Sequence, residues 1–122
     1  MPIKNDSIKH RFLYVLELAN GNYYVGVTLK DTEKRIKKHF NGKGSAWTKK
    51  YQPQAIKEII DLGELTYTQA EKIENQYVIK YMKSHGWEKV RGGYFTLSDN
   101  EKHLVTLKNH QRMNKVQGID FI

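Results

Sequence analysis

Apolar and polar positions alternate over residues 12–18. Phe12, Tyr14, Leu16 and Leu18 fall on one side, and Leu13, Val15 and Glu17 on the other. A period of two is the signature of a strand. The run stops at Ala19-Asn20-Gly21-Asn22, and strand-like residues resume over 23–28. Asn-Gly between two such runs predicts a tight hairpin, because both residues tolerate positive φ. So short a hairpin holds Tyr14 and Tyr24 close across the sheet, where packing alone would explain them. Residues 1–10 form a polar lead-in.

The period then changes. Asp31 is a candidate N-cap, Glu33 follows in the first turn and Gly42 stands past the end, which predicts a helix over 32–41. Ile36 and Phe40 make its apolar stripe. Arg35 and His39 lie one turn apart, about 40° offset, at the border of that stripe. Lys34, Lys37 and Lys38 point further outward. Residues 42–51 read as a cation-dense loop or short turn with interleaved aromatics, Trp47 being either a base-stacking residue or a core plug. A third strand is expected over 55–62. Thr68-x-x-Glu71 has the capping-box pattern and predicts a long helix over 69–84 with Gly86 as its stop.

That helix has a countable apolar arc. Tyr77, Tyr81 and Ile73 fall within about 60° of Ala70, and Val78 and Met82 extend the arc. Glu74 falls inside it, at about 40°. A carboxylate on a core-facing side is costly unless paired or liganded. Two readings stand: an ion pair with Arg35 or Lys30, or a metal ligand or acid/base at a cleft floor. Residues 85–95 read as a compact turn segment in which Arg91, before two glycines, presents a cation. Ser98-x-x-Glu101 opens a last basic helix to residue 114, with a thin apolar face (Leu104, Leu107) that packs on the domain edge. Without repeats or a composition break, the expectation is one domain over 1–122, with 98–122 a C-terminal helix and tail.

Charge sharpens this picture. Lys and Arg number 21 against 13 Asp and Glu, a net charge of +8, and the cations cluster locally. That favours a polyanionic partner, with nucleic acid ahead of an anionic membrane. The chain has no cysteine, which excludes disulfides and thiolate zinc sites and suits a reducing compartment. No apolar run approaches membrane-span length, and the polar start lacks a signal-peptide core. The expected setting is intracellular: cytoplasmic or nucleoid, or nuclear in a eukaryote.

Five landmarks in order resemble the GIY-YIG nuclease superfamily. Phe12-Leu13-Tyr14 stands for the first motif and Tyr24-Val25-Gly26 for the second. Arg35 with His39 matches the helix pair, and Glu74 the later glutamate. The run Ala70, Glu74-Asn75, Ile79-Lys80 is similar to the excision-repair UvrC pattern. The loop from Gly42 to Pro53 is closer to the eukaryotic structure-specific flap and junction endonuclease. The resemblance covers about 12–87. The family's later active-site Asn has no counterpart after Glu74, and His85, Lys89 and Arg91 are the candidates to replace it.

The resemblance implies an α/β (α+β) domain with a small, mainly antiparallel three-stranded sheet flanked by helices. It also implies a metal-dependent DNA endonuclease. Glu74 would hold Mg²⁺ or Mn²⁺, Arg35 would stabilise transition-state charge, Tyr14 would act as base, and His39 and Tyr24 would tune it. Gly26 would permit close packing. Lys34, Lys38, Lys43, Trp47, Lys49, Lys50 and Arg91 are the expected nucleic-acid contacts. With little chain left for recognition, structure-selective or single-strand-preferring cutting is expected, with room for a protein partner that supplies specificity. DNA is the expected substrate and RNA the second candidate. The alternatives are a sequence-specific restriction or homing-type nuclease, a catalytically dead binding module with the same fold, and a structural basic protein.

Overall fold

The computed structural model describes residues 7–29 and 32–122. Strand β1 (Lys9–Leu18) turns through Ala19–Gly21 into β2 (Asn22–Thr28). Asn20 and Gly21 both take positive φ, at 62° and 74°, as the Asn-Gly signal requires. Helices α1 (Thr32–Phe40) and α2 (Ala46–Lys50) follow, then β3 (Pro53–Leu65), α3 (Tyr67–His85), β4 (Val90–Gly92) and α4 (Asn100–Met113). Among the described residues no helix is long and apolar enough to cross a membrane.

The α+β class stands, but the sheet differs from the three-stranded antiparallel expectation. Four strands form one mixed sheet in the order β3-β1-β2-β4, with β4 parallel to β2. The fourth strand is only three residues long and runs into two glycines, so it has no alternation to read. Its pairing, Tyr23 with Val90 through Val25 with Gly92, is a tertiary event.

Helix starts also shift. The capping box of α3 is Thr66 with Gln69, because β3 continues to Leu65 and leaves Thr66 as the extended cap residue. Asp99, not Ser98, caps α4 by accepting the Lys102 N–H at 3.0 Å. The loop over 42–51 contains the short helix α2, capped by Ser45. Asp31 and Lys30 lie outside the described residues.

Strand alternation divides the interior in two. Leu13, Val15 and Val25 face α3 and α4, packing with Val78, Met82, Phe95 and Leu107 in the larger core. Tyr14, Leu16, Leu18 and Tyr24 face the other way, against Ile36 of α1 and Trp47 of α2. The α3/α4 side is mainly apolar, with the Tyr81 hydroxyl donating to Glu58, and the α1/α2 side buries the paired phenols of Tyr14 and Tyr24.

Candidate active site

Register explains the glycine of the second motif. Tyr14 lies opposite Gly26 in the β1–β2 pair, and Tyr24 lies opposite Leu16. A Cβ at position 26 would overlap the Tyr14 ring and hydroxyl. The glycine therefore lets the phenol lie flat across the neighbouring strand. The two tyrosine rings are diagonal neighbours with centroids 6.3 Å apart.

Helix α1 supplies two groups to these phenols. The Arg35 guanidinium acts on both the Tyr14 and the Tyr24 hydroxyls. His39 Nε2 lies 2.9 Å from the Tyr14 hydroxyl, and its Nδ1 lies 3.0 Å from Thr48 Oγ1. The border position expected for His39 is wrong: it is 0% exposed. The chain closes over it at Gly44, where a Cβ would overlap the imidazole. Ser45 hydrogen-bonds Tyr24, completing the polar contacts of the pair.

These contacts set the electrostatics. Burial pushes the Tyr14 phenol well above its ordinary range, with Tyr24 adding to it and Arg35 opposing. Tyr24 is raised by burial first and Glu74 second. Burial, then the Arg35 guanidinium, pulls the His39 pKa down to about 4, so the imidazole is neutral at pH 7. A neutral imidazole beside a protonated phenol can accept its proton.

Glu74 comes from α3, on the far side of the sheet. Beyond Gly92 the short β4 no longer pairs with β2. The Glu74 carboxylate lies near that gap, where the backbone N–H groups of Gly93 and Val27 favour its charge. From there its charge acts on both Tyr14 and Tyr24. Burial, and then the nearby Glu71, push its pKa up to about 7. Among the described residues the ion pairs are His10–Asp61 and Lys83–Asp120, so no pair with Arg35 neutralises Glu74. Lys30, the other suggested partner, lies outside the described residues.

Other expected site residues lie elsewhere. Trp47 is 1% exposed and donates its indole N–H to the Tyr23 carbonyl, so it is a core plug and not a base-stacking residue. Arg91 is 0% exposed. Its guanidinium lies over the Trp47 ring and donates to the carbonyls of Leu97, Trp87 and Glu88 and to Asn100 Oδ1. Burial takes it away from any phosphate. His85 packs on Tyr23, and Lys89 reaches the Asn20 carbonyl, so neither is among the groups acting on Glu74. Lys34, Lys38, Lys43, Lys49 and Lys50 are exposed on α1, α2 and the loop between them.

Three contributors were missed by the sequence reading. Gly44 and Thr48 enclose His39, and the Ser45-x-x-Thr48 capping pattern after two glycines was their available signal. Asn75 Oδ1 accepts the Tyr94 N–H and so holds the turn that offers the Gly93 N–H to Glu74.

Two phenols, a guanidinium, a neutral imidazole and a carboxylate with no ion-pair partner among the described residues thus act on one another, with exposed lysines on α1, α2 and the loop between them. The GIY-YIG catalytic domain family matches residues 10–87, more than half the chain, and the protein belongs to that family. It is accordingly a nuclease domain whose substrate is nucleic acid. A UPF0213 protein of Staphylococcus saprophyticus is 36% identical over 74 residues, 59% of this chain and 80% of that protein. A UPF0213 protein of Bacillus cereus is 45% identical over 51 residues, covering 42% of this chain and 51% of the relative. One from Xanthomonas axonopodis is 40% identical over 48 residues, 39% of this chain and 46% of the relative. No solved structure matches the chain.

Proposed function

We propose that this domain is a metal-dependent DNA endonuclease that prefers single-stranded or branched substrates. The observation that carries the reading is the convergence of Arg35, the two phenols and Glu74. Helix α1 and helix α3 lie on opposite sides of the sheet, yet their polar groups act on one tyrosine pair.

The donor set at Glu74 fits a hard divalent cation. Its carboxylate is desolvated, lies near Glu71 and has no ion-pair partner among the described residues, so a cation would relieve it. Mg²⁺ typically uses one or two carboxylates and completes its shell with water and phosphate oxygens. Glu74 would hold Mg²⁺ or Mn²⁺, and the ion would supply charge neutralisation at the scissile phosphate. Arg35 faces the same place and stabilises the negative charge that grows on the phosphorane oxygens.

Tyr14 cannot start as a phenolate, since its pKa is raised. It takes the proton of the attacking water as it hands its own proton to His39 Nε2, 2.9 Å away. Tyr24 shares Arg35 with Tyr14 and so helps to fix the guanidinium.

Two exposed rings support the preference for unpaired strands. Tyr67 and Tyr94 are 52% and 43% exposed, and both feel the charge of Glu74. Splayed bases stack on such rings, and paired bases do not. The exposed lysines give the phosphate track, RNA is the competing substrate, and a protein partner would add specificity. A cleavage screen with Mg²⁺ or Mn²⁺ over single-stranded, flap, fork, junction and duplex DNA tests the reading. Faster cutting of substrates with unpaired strands is expected. Cutting confined to one sequence in duplex DNA would favour the restriction-type alternative.

A further inference from the structure

We propose that Thr48 is a positioning residue that holds His39 in the one tautomer able to take the proton of Tyr14. This rests on the reading of Tyr14 as the base.

Each end of the chain of contacts has a fixed direction. At one end stands Arg35, which can only donate and whose guanidinium acts on the Tyr14 hydroxyl. At the other end Thr48 Oγ1 lies 3.1 Å from the Ser45 carbonyl, which can only accept. That carbonyl also takes the Lys49 N–H at 3.1 Å, within the capacity of its two lone pairs. Between these ends stand Tyr14, His39 and Thr48, with contacts of 2.9 and 3.0 Å.

One assignment satisfies every group, and in it Ser45 Oγ, 3.3 Å from Thr48 Oγ1, can donate to the second Thr48 lone pair. The Thr48 hydroxyl donates to the Ser45 carbonyl and offers its lone pair to His39, so Nδ1 carries the hydrogen. Nε2 is then a bare lone pair facing Tyr14, and the Tyr14 hydroxyl donates into it. In the opposite tautomer Nε2–H would compete with the Arg35 donors for the phenol oxygen and leave the Tyr14 O–H without an acceptor among these groups. Thr48 would then have to give its proton to Nδ1, setting its oxygen lone pairs against the Ser45 carbonyl. A buried hydroxyl without its partner and two facing oxygen lone pairs both disfavour that state.

The surroundings leave Nδ1 no second choice. His39 and Thr48 are both buried, and the backbone at Gly44 lies against the imidazole at Nδ1. Thr48 is itself fixed, because its backbone N–H donates to Ser45 Oγ at 3.2 Å as part of the α2 cap. The cap of a five-residue helix thus sets the direction in which a proton can move two groups away.

The test compares wild type, Thr48→Val and Thr48→Ser in the full chain. Valine keeps the shape and removes the acceptor, and serine restores it. Long-range ¹H–¹⁵N correlation spectra of histidine-labelled protein read the tautomer of His39 directly, and nicking is measured on the same preparations. Wild type and Thr48→Ser should show the Nδ1–H form. Thr48→Val should shift to Nε2–H and lose about 10- to 100-fold in nicking rate, with substrate affinity unchanged. An Nε2–H wild type, or an unchanged tautomer in Thr48→Val, would overturn the inference. If Thr48→Val fails to fold, the wild-type and Thr48→Ser spectra still decide it. Spectra as expected, from a protein that nicks nothing, would uphold the positioning role and defeat Tyr14 as base.

Discussion

The two faces of the sheet come from alternate residues of the same strands, and they solve different problems. Towards α3 and α4 most of the buried groups, among them Leu13, Val15, Val25, Val78, Met82 and Leu107, are aliphatic and need only fit. Towards α1 and α2 the strands bury Tyr14 and Tyr24, and the helices answer with His39 and Thr48. Each face also holds a buried histidine. His39 has partners on both nitrogens, whereas His103 donates Nε2–H to the Trp87 carbonyl and leaves Nδ1 unpartnered. Both pKa values are pulled down to about 4, mainly by burial, so titration does not separate them. Partner chemistry does: one imidazole faces a phenol that can give it a proton, and the other faces a carbonyl that cannot. Stability is carried by the apolar face, which frees the other to hold polar groups in a costly arrangement.

That division predicts opposite results for one change on each face. Tyr14→Phe removes a single hydroxyl, so nicking should fall about 10²- to 10⁴-fold while the melting temperature holds. Full activity with unchanged melting would rule Tyr14 out as base. Leu107→Ala, on the apolar face, should cost about 2–5 kcal/mol in denaturant unfolding. The fraction still folded should nick at the wild-type rate. A specific loss of rate there would mean the two faces are not separable.

A pH series sharpens the comparison in metal-free buffer. His39 and His103 have folded pKa values of about 4 against an ordinary 6.5, so stability falls as pH drops from 6.5 towards 4. Glu74 works the other way: at about 7 against 4.5, it makes stability fall as pH rises through that window. Between pH 4.5 and 6.5 the two histidines oppose one carboxylate, a net slope of about 1.4 kcal/mol per pH unit from these groups. Replacing Glu74 by Gln should about double that slope, as read from melting or unfolding curves. An unchanged slope would mean that Glu74 titrates as an ordinary carboxylate.

The smallest effect is expected at the rim. Replacing Lys43, Lys49 and Lys50 by Ala should flatten the plot of log affinity against log salt by up to about 0.9 per lost phosphate contact. An unchanged slope would remove this loop from the binding surface.

Local signals and distant ones differed in how well they could be read. The hairpin was legible because Asn20 and Gly21 announce their own φ, and the hairpin then dictates that Tyr14 crosses Gly26. Glu74 stood out because helical periodicity put a carboxylate where apolar residues belong. The fourth strand was not legible, since three residues ending in glycine carry no period and pair only after α3 has folded back. Arg91, expected at a phosphate, and Trp47, open between base stacking and a core plug, were obscure for a related reason. A cation beside glycines and a tryptophan among lysines resemble a phosphate-binding loop in sequence, but each buries the other, with 4.0 Å between guanidinium carbon and ring centre. The role of Thr48 depends on a loop closing over His39, a contact between elements that no residue pattern encodes.

Glu74→Gln tests the account most directly. Melting temperature, DNA affinity and nicking rate would be measured on one preparation, with Mg²⁺ and with Mn²⁺. The side chain keeps its size, and the charge that burial and Glu71 disfavour is removed. At neutral pH without metal the variant should melt no lower than wild type. It should bind DNA as well or more tightly, and cut nothing with either ion. Intact nicking, or a large drop in melting temperature as the only change, would contradict a cleavage site built around this carboxylate.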